Sequence, residues 1–346
     1  MLLKEQFYLD SMNIERNRIY CGDCFKLIKE LPDNSIDCIV TSPPYWALRD
    51  YGFKNQIGLE EHPEKYIEKI VAFMKEAKRV IKPTGTIFLN LGDSFYTRSG
   101  GFNNRLSKLS RLLNKNSRLS KAYTETRGKF KTNWLQSKQK LLIPYRVAIK
   151  CQDELGLILR NDIHWVKQLF NVKSEESFGS SVPNPVKDRF NTNSESIFFF
   201  VKSRKYFFDL DAIRAPYKES SINRGRYLRR ATKNSPYAPQ VISNRNKISF
   251  NELGKNPGDC LHFSYEPRRE KHFAMFPLRM PIFFIKCGCP KGGLVLDPFI
   301  GSGTTATACV LLEREFIGFD ANKKYCKVAE KFVKTIKFQR QEGFHA

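Results

Sequence analysis

The chain has 346 residues, 41% of them hydrophobic, and carries 59 Lys and Arg against 35 Asp and Glu, a formal charge of +24. That length and apolar share allow one large core or two modest ones, and so strong a positive balance points to a polyanionic partner. No apolar run approaches the roughly 20 residues of a spanning helix, and the N-terminal stretch with Lys4, Glu5, Asp10, Glu15 and Arg16 lacks the apolar centre of a signal peptide, so an intracellular chain with no membrane partner is expected.

In chain order, Arg18 to Asp23 reads as a strand ending in an acid, followed by a helix from Cys24 to about Leu31. Ile36 to Val40 is a second, buried strand. It runs into Thr41-Ser42-Pro43-Pro44-Tyr45-Trp46, where two prolines remove backbone donors and hold Ser42 extended. The Ser42 hydroxyl and a prolyl carbonyl then form a rigid acceptor site beside the Tyr45 ring, suited to the exocyclic amine of a nucleobase. A Pro-Pro turn with a core tyrosine is the alternative, and Trp46 fits core packing as well as it fits the site. Pro63 to Lys82 has helical periodicity, with a stop signal at Pro83-Thr84-Gly85. Thr86 to Leu91 reads as a buried strand, Pro144 to Leu155 as a helix, Leu157 to Trp165 as a strand, and Ser196 to Lys202 as a strand paired with it. The alternation is that of an α/β fold with a mostly parallel sheet.

Two basic stretches interrupt it. Arg98 to Lys140 holds twelve Lys and Arg against Glu125 alone, and Leu106, Leu109, Leu112, Leu113 and Leu119 allow a short basic helix that orders on a polyanion; a solvated loop is the alternative. Ile213 to Phe250 holds nine Lys and Arg against Glu219, interleaved with Tyr217, Tyr227 and Tyr237.

Near the other end, Gly293-Leu-Val-Leu-Asp297-Pro298-Phe299-Ile-Gly301-Ser302-Gly303-Thr304-Thr305 reads as strand, glycine-rich turn and helix start, with the helix running to about Glu313. Glycines admit a ligand to the backbone, and the helix offers unpaired N–H groups. There is no Gly-Lys-Ser/Thr for a P-loop and no third glycine of a dinucleotide fingerprint, so an NTPase or a dehydrogenase fits poorly. Glu315 to Asp320 is a further strand ending in an acid, where Rossmann-like folds hold ribose hydroxyls.

Ser42-Pro-Pro-Tyr45 and Asp297-Pro-Phe-x-Gly-Ser-Gly-Thr-Thr305 together resemble the catalytic and cofactor motifs of the DNA amino-methyltransferases, and their order resembles the group called class beta. Asn17 to Cys24, Trp46 to Gly52, Leu141 to Trp165, Ser196 to Arg214 and His272 to Pro277 resemble further segments, about two thirds of the chain in all. The pattern departs at Asn191 to Glu195, where relatives carry a His before the Glu. The resemblance implies a Rossmann-like S-adenosyl-L-methionine-dependent sheet, circularly permuted because the adenine-side strand opens the chain while the two cofactor strands close it. It implies catalytic Ser42, Pro43, Pro44 and Tyr45. Asp297, Pro298, Phe299, Gly301, Ser302, Gly303 and Thr304 go to the methionine moiety and backbone contacts, Asp320 to the ribose and Asp23 to the adenine amine; a helix-cap acid at Asp297 and a turn acid at Asp23 are the alternatives.

The expected division is 1–212 for the catalytic half, with the basic loop 98–140, 213–262 for target recognition, and 263–346 for the cofactor half. Serine at the first motif position resembles the cytosine-N4 subset. Adenine-N6 transfer by the same machinery is the close alternative, and an inactive DNA-binding regulator is the alternative from another class. Double-stranded DNA is the expected partner, with a cognate restriction endonuclease compatible but not required, in a prokaryotic cytoplasm at the nucleoid. A sulfonium leaving group and neutral acceptors leave a metal no oxyanion or bound water to stabilise, so none is expected. The nine cysteines read as reduced core thiols. Cys21, Cys24, Cys287 and Cys289 match a four-thiolate zinc pattern, but Cys21-Gly-Asp-Cys24 overlaps the family motif.

Overall fold

The computed structural model describes residues 14–51, 56–96, 135–181, 186–226, 251–264 and 276–341. The chain divides into two compact units, 1–208 with 259–346, and 209–258. Most of the 98–140 stretch, 227–250 of the second basic stretch and His272 to Met275 lie outside the described residues.

The larger unit is built on the strands β1 (Arg18–Cys21), β2 (Ile36–Thr41), β3 (Ile81–Leu91) and β4 (Ile158–Val166), then β7 (Ser194–Val201), β8 (Cys260–Leu261), β9 (Leu294–Asp297) and β10 (Glu315–Asp320). They form one sheet in the order β1-β10-β9-β2-β3-β7-β4-β8. Every pairing from β1 to β3 is parallel, whereas β7 runs antiparallel to both β3 and β4. β5 (Gln168–Asn171) and β6 (Glu176–Gly179) form a separate hairpin directly after β4. The buried runs 38–40, 294–296 and 316–319 of β2, β9 and β10 are what a parallel strand covered on both faces requires.

Alternation along the strands divides the core. Ile39, Ile87, Leu89, Phe198, Phe200, Leu296 and Phe319 share one core with α1 (Cys24–Leu27), α2 (Pro63–Val80) and α3 (Ile143–Asp153). Phe88, between Ile87 and Leu89, points the other way and stacks on Phe199 at 4.8 Å and on Phe284 of α5 (Arg279–Gly288) at 4.6 Å. α6 (Thr304–Leu311) follows β9, and α7 (Lys323–Gln341) follows β10. β1 pairs directly with β10, Arg18 opposite Ile317, so the first and last strands among the described residues are neighbours.

The 209–258 unit holds a 3₁₀ turn (Asp211–Ile213) and α4 (Glu219–Arg226). Ala215 and Lys255 exchange backbone hydrogen bonds of 2.9 and 2.8 Å, and Arg214 donates to the Gly254 carbonyl at 3.0 Å.

Four expectations need correction. The helix after Asp23 is shorter: α1 ends at Leu27 and a 3₁₀ turn covers Ile28–Glu30. The helix from Pro63 ends at Val80, before the Pro-Thr-Gly signal, because Ile81 is fully buried opposite Ile36 and starts β3 there. Lys82 to Gly85 then form an irregularity in that strand, held by Lys82 Nζ at 2.8 Å from both Asp37 carboxylate oxygens. The predicted strand at Thr86 is therefore the second half of a longer one. The strand beginning at Ser196 starts two residues earlier, at Ser194, and pairs with β4 as expected.

Candidate active site

A cavity of about 530 Å³ opens at the carboxyl ends of the parallel strands, where open α/β sheets hold their ligands. Gly22 and Asp23 follow β1, Ser42 to Tyr45 follow β2, Pro298 to Thr304 follow β9, and Asp320 ends β10; all these stretches line it. Ile57, Tyr51, Tyr325, Phe25 and Phe276 supply apolar wall.

Each predicted residue has a defined place. Asp23 caps α1, its Oδ1 accepting from Phe25 N at 2.8 Å, and still borders the cavity. Asp320 accepts from Gly301 N at 3.0 Å and from Asn322 N at 2.7 Å, which ties the β10 end to the glycine turn. Burial pushes its carboxyl up to about 6. Pro298, Phe299, Gly301, Ser302 and Thr304 line the cavity, whereas Asp297 and Gly303 do not. Asp297 is buried beneath, accepting from Thr41 Oγ1 at 2.8 Å, Thr305 Oγ1 at 2.6 Å and Phe299 N at 3.1 Å. It thus joins the end of β2 to the glycine turn, and burial raises its carboxyl to about 6 as well. Gly303 begins α6 with φ of 89°, and a Cβ there would meet the Ala329 backbone at 2.9 Å.

On the catalytic side, the Pro44 carbonyl is taken from the core by the Tyr66 hydroxyl at 3.0 Å. Trp46 is buried and donates to the Glu60 carbonyl at 2.9 Å, so it packs in the core and does not line the cavity. The Tyr45 ring lies so close to Gly92 that any Cβ there would fall 2.3 Å from its edge. Its hydroxyl donates to Glu195 Oε2 at 2.5 Å and accepts from Asn90 Nδ2 at 2.9 Å; Ser42 Oγ is 3.4 Å away. Burial and the Glu195 charge push the Tyr45 phenol well above the ordinary range. Glu195 Oε1 is paired with Lys167, whose ammonium lies 4.7 Å over the Trp165 ring.

Asn90, Trp165, Lys167 and Glu195 also line the cavity; Trp165 and Glu195 end stretches compared with the family above, whereas Asn90 and Lys167 lie in none. One signal was visible for Asn90, a polar residue inside an apolar strand. Seven of the nine cysteines are buried thiols outside any disulfide; Cys21 and Cys260 are exposed. Among the described residues no helix is long and apolar enough to cross a membrane.

A family model described as DNA methylase, of the N6/N4 type, matches residues 36–331. The Type II methyltransferase M.SmaI of Serratia marcescens is 30% identical over 321 residues, 93% of this chain and 92% of its own length. M.Cfr9I of Citrobacter freundii is 31% identical over 311 residues, 90% and 85% of the two chains. The solved PvuII DNA methyltransferase (cytosine-N4-specific) superposes with a TM-score of 0.56 at 18% identity, covering 94% of this chain and 93% of that one. A putative DNA modification methylase of Thermus thermophilus, solved in complex with S-adenosyl-L-methionine, gives 0.52 at 19% identity over 92% and 95%. At such identities the structural matches establish a shared fold.

Proposed function

Since the chain belongs to the N6/N4 DNA methylase family, we propose that its cavity transfers a methyl group from S-adenosyl-L-methionine to the exocyclic N4 of a cytosine in duplex DNA. The observation that carries this reading is that Ser42 to Tyr45 and the turn from Pro298 to Thr304 line one cavity, with Asp320 also in its wall. The chemistry of the cofactor side fits the nucleoside. Asp320 offers a carboxylate to ribose hydroxyls, Asp23 an acceptor to an adenine amine, and Phe25, Tyr51 and Tyr325 apolar surface to its ring. Gly301 to Thr304 bring backbone close to the methionine moiety, and Asp297 supports that turn from below. When bound, S-adenosyl-L-methionine supplies an electrophilic methyl on a sulfonium.

The chain's own residues handle the base. An amine inside the stack is out of reach, so the cytosine is flipped and held against Tyr45. Its lone pair is delocalised into the ring, and hydrogen bonds from its two N–H groups to Ser42 Oγ and the Pro43 carbonyl favour a pyramidal nitrogen with that pair directed outward. The Pro44 carbonyl already accepts from Tyr66, which favours Pro43 as the second acceptor.

The PvuII enzyme, named as cytosine-N4-specific, and the serine at position 42 support the cytosine assignment. The Type II relatives support a modification role beside a cognate endonuclease, and the contact between β1 and β10 supports a permuted strand order. The test is transfer of labelled methyl from S-adenosyl-L-methionine to duplex DNA by wild type and by Ser42→Ala. Wild type should label DNA, and the variant should be slower by about 10²–10³ with cofactor affinity kept, the scale of one lost pre-organised hydrogen bond. An unlabelled product with wild type would favour the inactive regulator, while equal rates would remove Ser42 from the chemistry.

A further inference from the structure

A serine hydroxyl is both donor and acceptor, and nothing in the Ser-Pro-Pro-Tyr turn alone makes it accept from an amine. The surrounding network does. Asn90 Nδ2 donates to the Tyr45 hydroxyl oxygen at 2.9 Å and to Glu195 Oε2 at 3.1 Å, and reaches one lone pair of Ser42 Oγ at the longer distance of 3.4 Å. Tyr45 has one proton, and its 2.5 Å neighbour Glu195 Oε2, as a carboxylate, only accepts. That proton therefore points to Glu195. The Tyr45 oxygen is left facing Ser42 Oγ at 3.4 Å, and that contact can be satisfied only by the serine proton.

We propose that Glu195, anchored by Lys167, is a positioning residue that fixes the direction of the chain Ser42 to Tyr45 to Glu195 and so leaves a Ser42 lone pair turned to the target amine. This rests on the reading of Ser42 as an amine acceptor given above. Lys167 occupies the second carboxylate oxygen and is itself held over Trp165, so Glu195 cannot swing away from Tyr45. The groups that face Tyr45 are Asn90 from β3, Glu195 from β7, and Tyr66 from α2, whose own proton is committed to Pro44. Asn90 turns its Nδ2 to the Tyr45 oxygen, and the Tyr45 proton goes to Glu195 Oε2. The elevated pKa of the Tyr45 phenol keeps its proton in place for this role.

The strand pairing makes the arrangement rigid. Glu195 is opposite Trp165 in the β4–β7 ladder, and Asn90 is opposite Ile197 in the β3–β7 ladder, so three neighbouring strands set the network. The arrangement depends on the Tyr45 hydroxyl, because a phenylalanine there would keep the ring and break the chain.

The test is single-turnover methylation at saturating DNA for Tyr45→Phe and Glu195→Ala, each alone and each combined with Ser42→Ala, with cofactor and DNA dissociation constants measured alongside. Each single variant should slow methylation about tenfold or more, the scale of a hydrogen bond to a charged group, with both dissociation constants unchanged. In the Ser42→Ala background neither should slow it further, since both act through Ser42; a merely structural role would multiply. Equal slowing in both backgrounds, or no slowing of the wild type, overturns the proposal. A wild-type rate in Ser42→Ala alone overturns the amine-acceptor reading first, and the chain with it. Should Glu195→Ala fail to fold with Lys167 unpaired, Lys167→Met/Glu195→Ala removes both charges and answers the same question.

Discussion

Asp320 and Asp297 are both carboxyls raised by burial to about 6, but they face different demands. In an unfolded chain each would titrate near ~3.9. Between those values the folded protein binds more protons, so the stability these groups contribute is greatest below about pH 4 and is lost as pH rises through about 6. On the proposed reading cofactor binding runs the other way, because an ionised Asp320 is the better acceptor for ribose hydroxyls. Affinity for S-adenosyl-L-methionine is therefore expected to weaken as pH falls below about 6, by at most about tenfold per unit for one proton. Calorimetric titration between pH 8 and 5 checks this. Asp320→Asn should bind more weakly at pH 8 and show a flatter acid limb, whereas an unchanged limb would place the titrating group elsewhere.

At the level of elements, the join between β9, its glycine turn and α6 is the most constrained part of the cofactor side. Gly303 sits at φ of 89° with the α7 backbone at Ala329 behind it. Gly303→Ala should cost about 1–2 kcal/mol for the left-handed conformation alone, plus displacement of α7. A lowered melting temperature with weakened cofactor binding is expected, and an unchanged melting temperature would contradict it. This join was legible in the sequence because its glycines, acid and helix start are contiguous. So were the strands with apolar runs, from Ile36 and from Glu315. The network around Glu195 was not, because Asn90, Lys167 and Glu195 meet only after β3, β4 and β7 pair. The β5–β6 hairpin, α5 and α7 also went unassigned. The signal at Pro83 marked a real helix end at the wrong residue, since burial of Ile81 against Ile36 decides where β3 begins.

For the molecule as a whole, the charge of +24 is large enough to make DNA affinity a question of counterion release. Replacing five of the Lys and Arg between Arg98 and Lys140 with glutamine should reduce the slope of log affinity against log salt by about 0.9 for each phosphate contact removed. Methylation at saturating DNA should be unaffected, because the residues placed at the cavity lie elsewhere. An unchanged slope would show that this stretch does not touch DNA.

The central claim is that one cavity methylates the N4 of a flipped cytosine. In the proposed mechanism Ser42 and Pro43 are the acceptors for the amine, and a pyrimidine would bring its 4-amino group there without the bulk of a purine. The most direct measurement is nucleoside mass spectrometry of DNA from cells expressing the protein, with Ser42→Ala as control. N4-methylcytosine that disappears in the control is the predicted result. N6-methyladenine as the only methylated base would contradict the cytosine assignment, and no methylated base at all would contradict the enzyme.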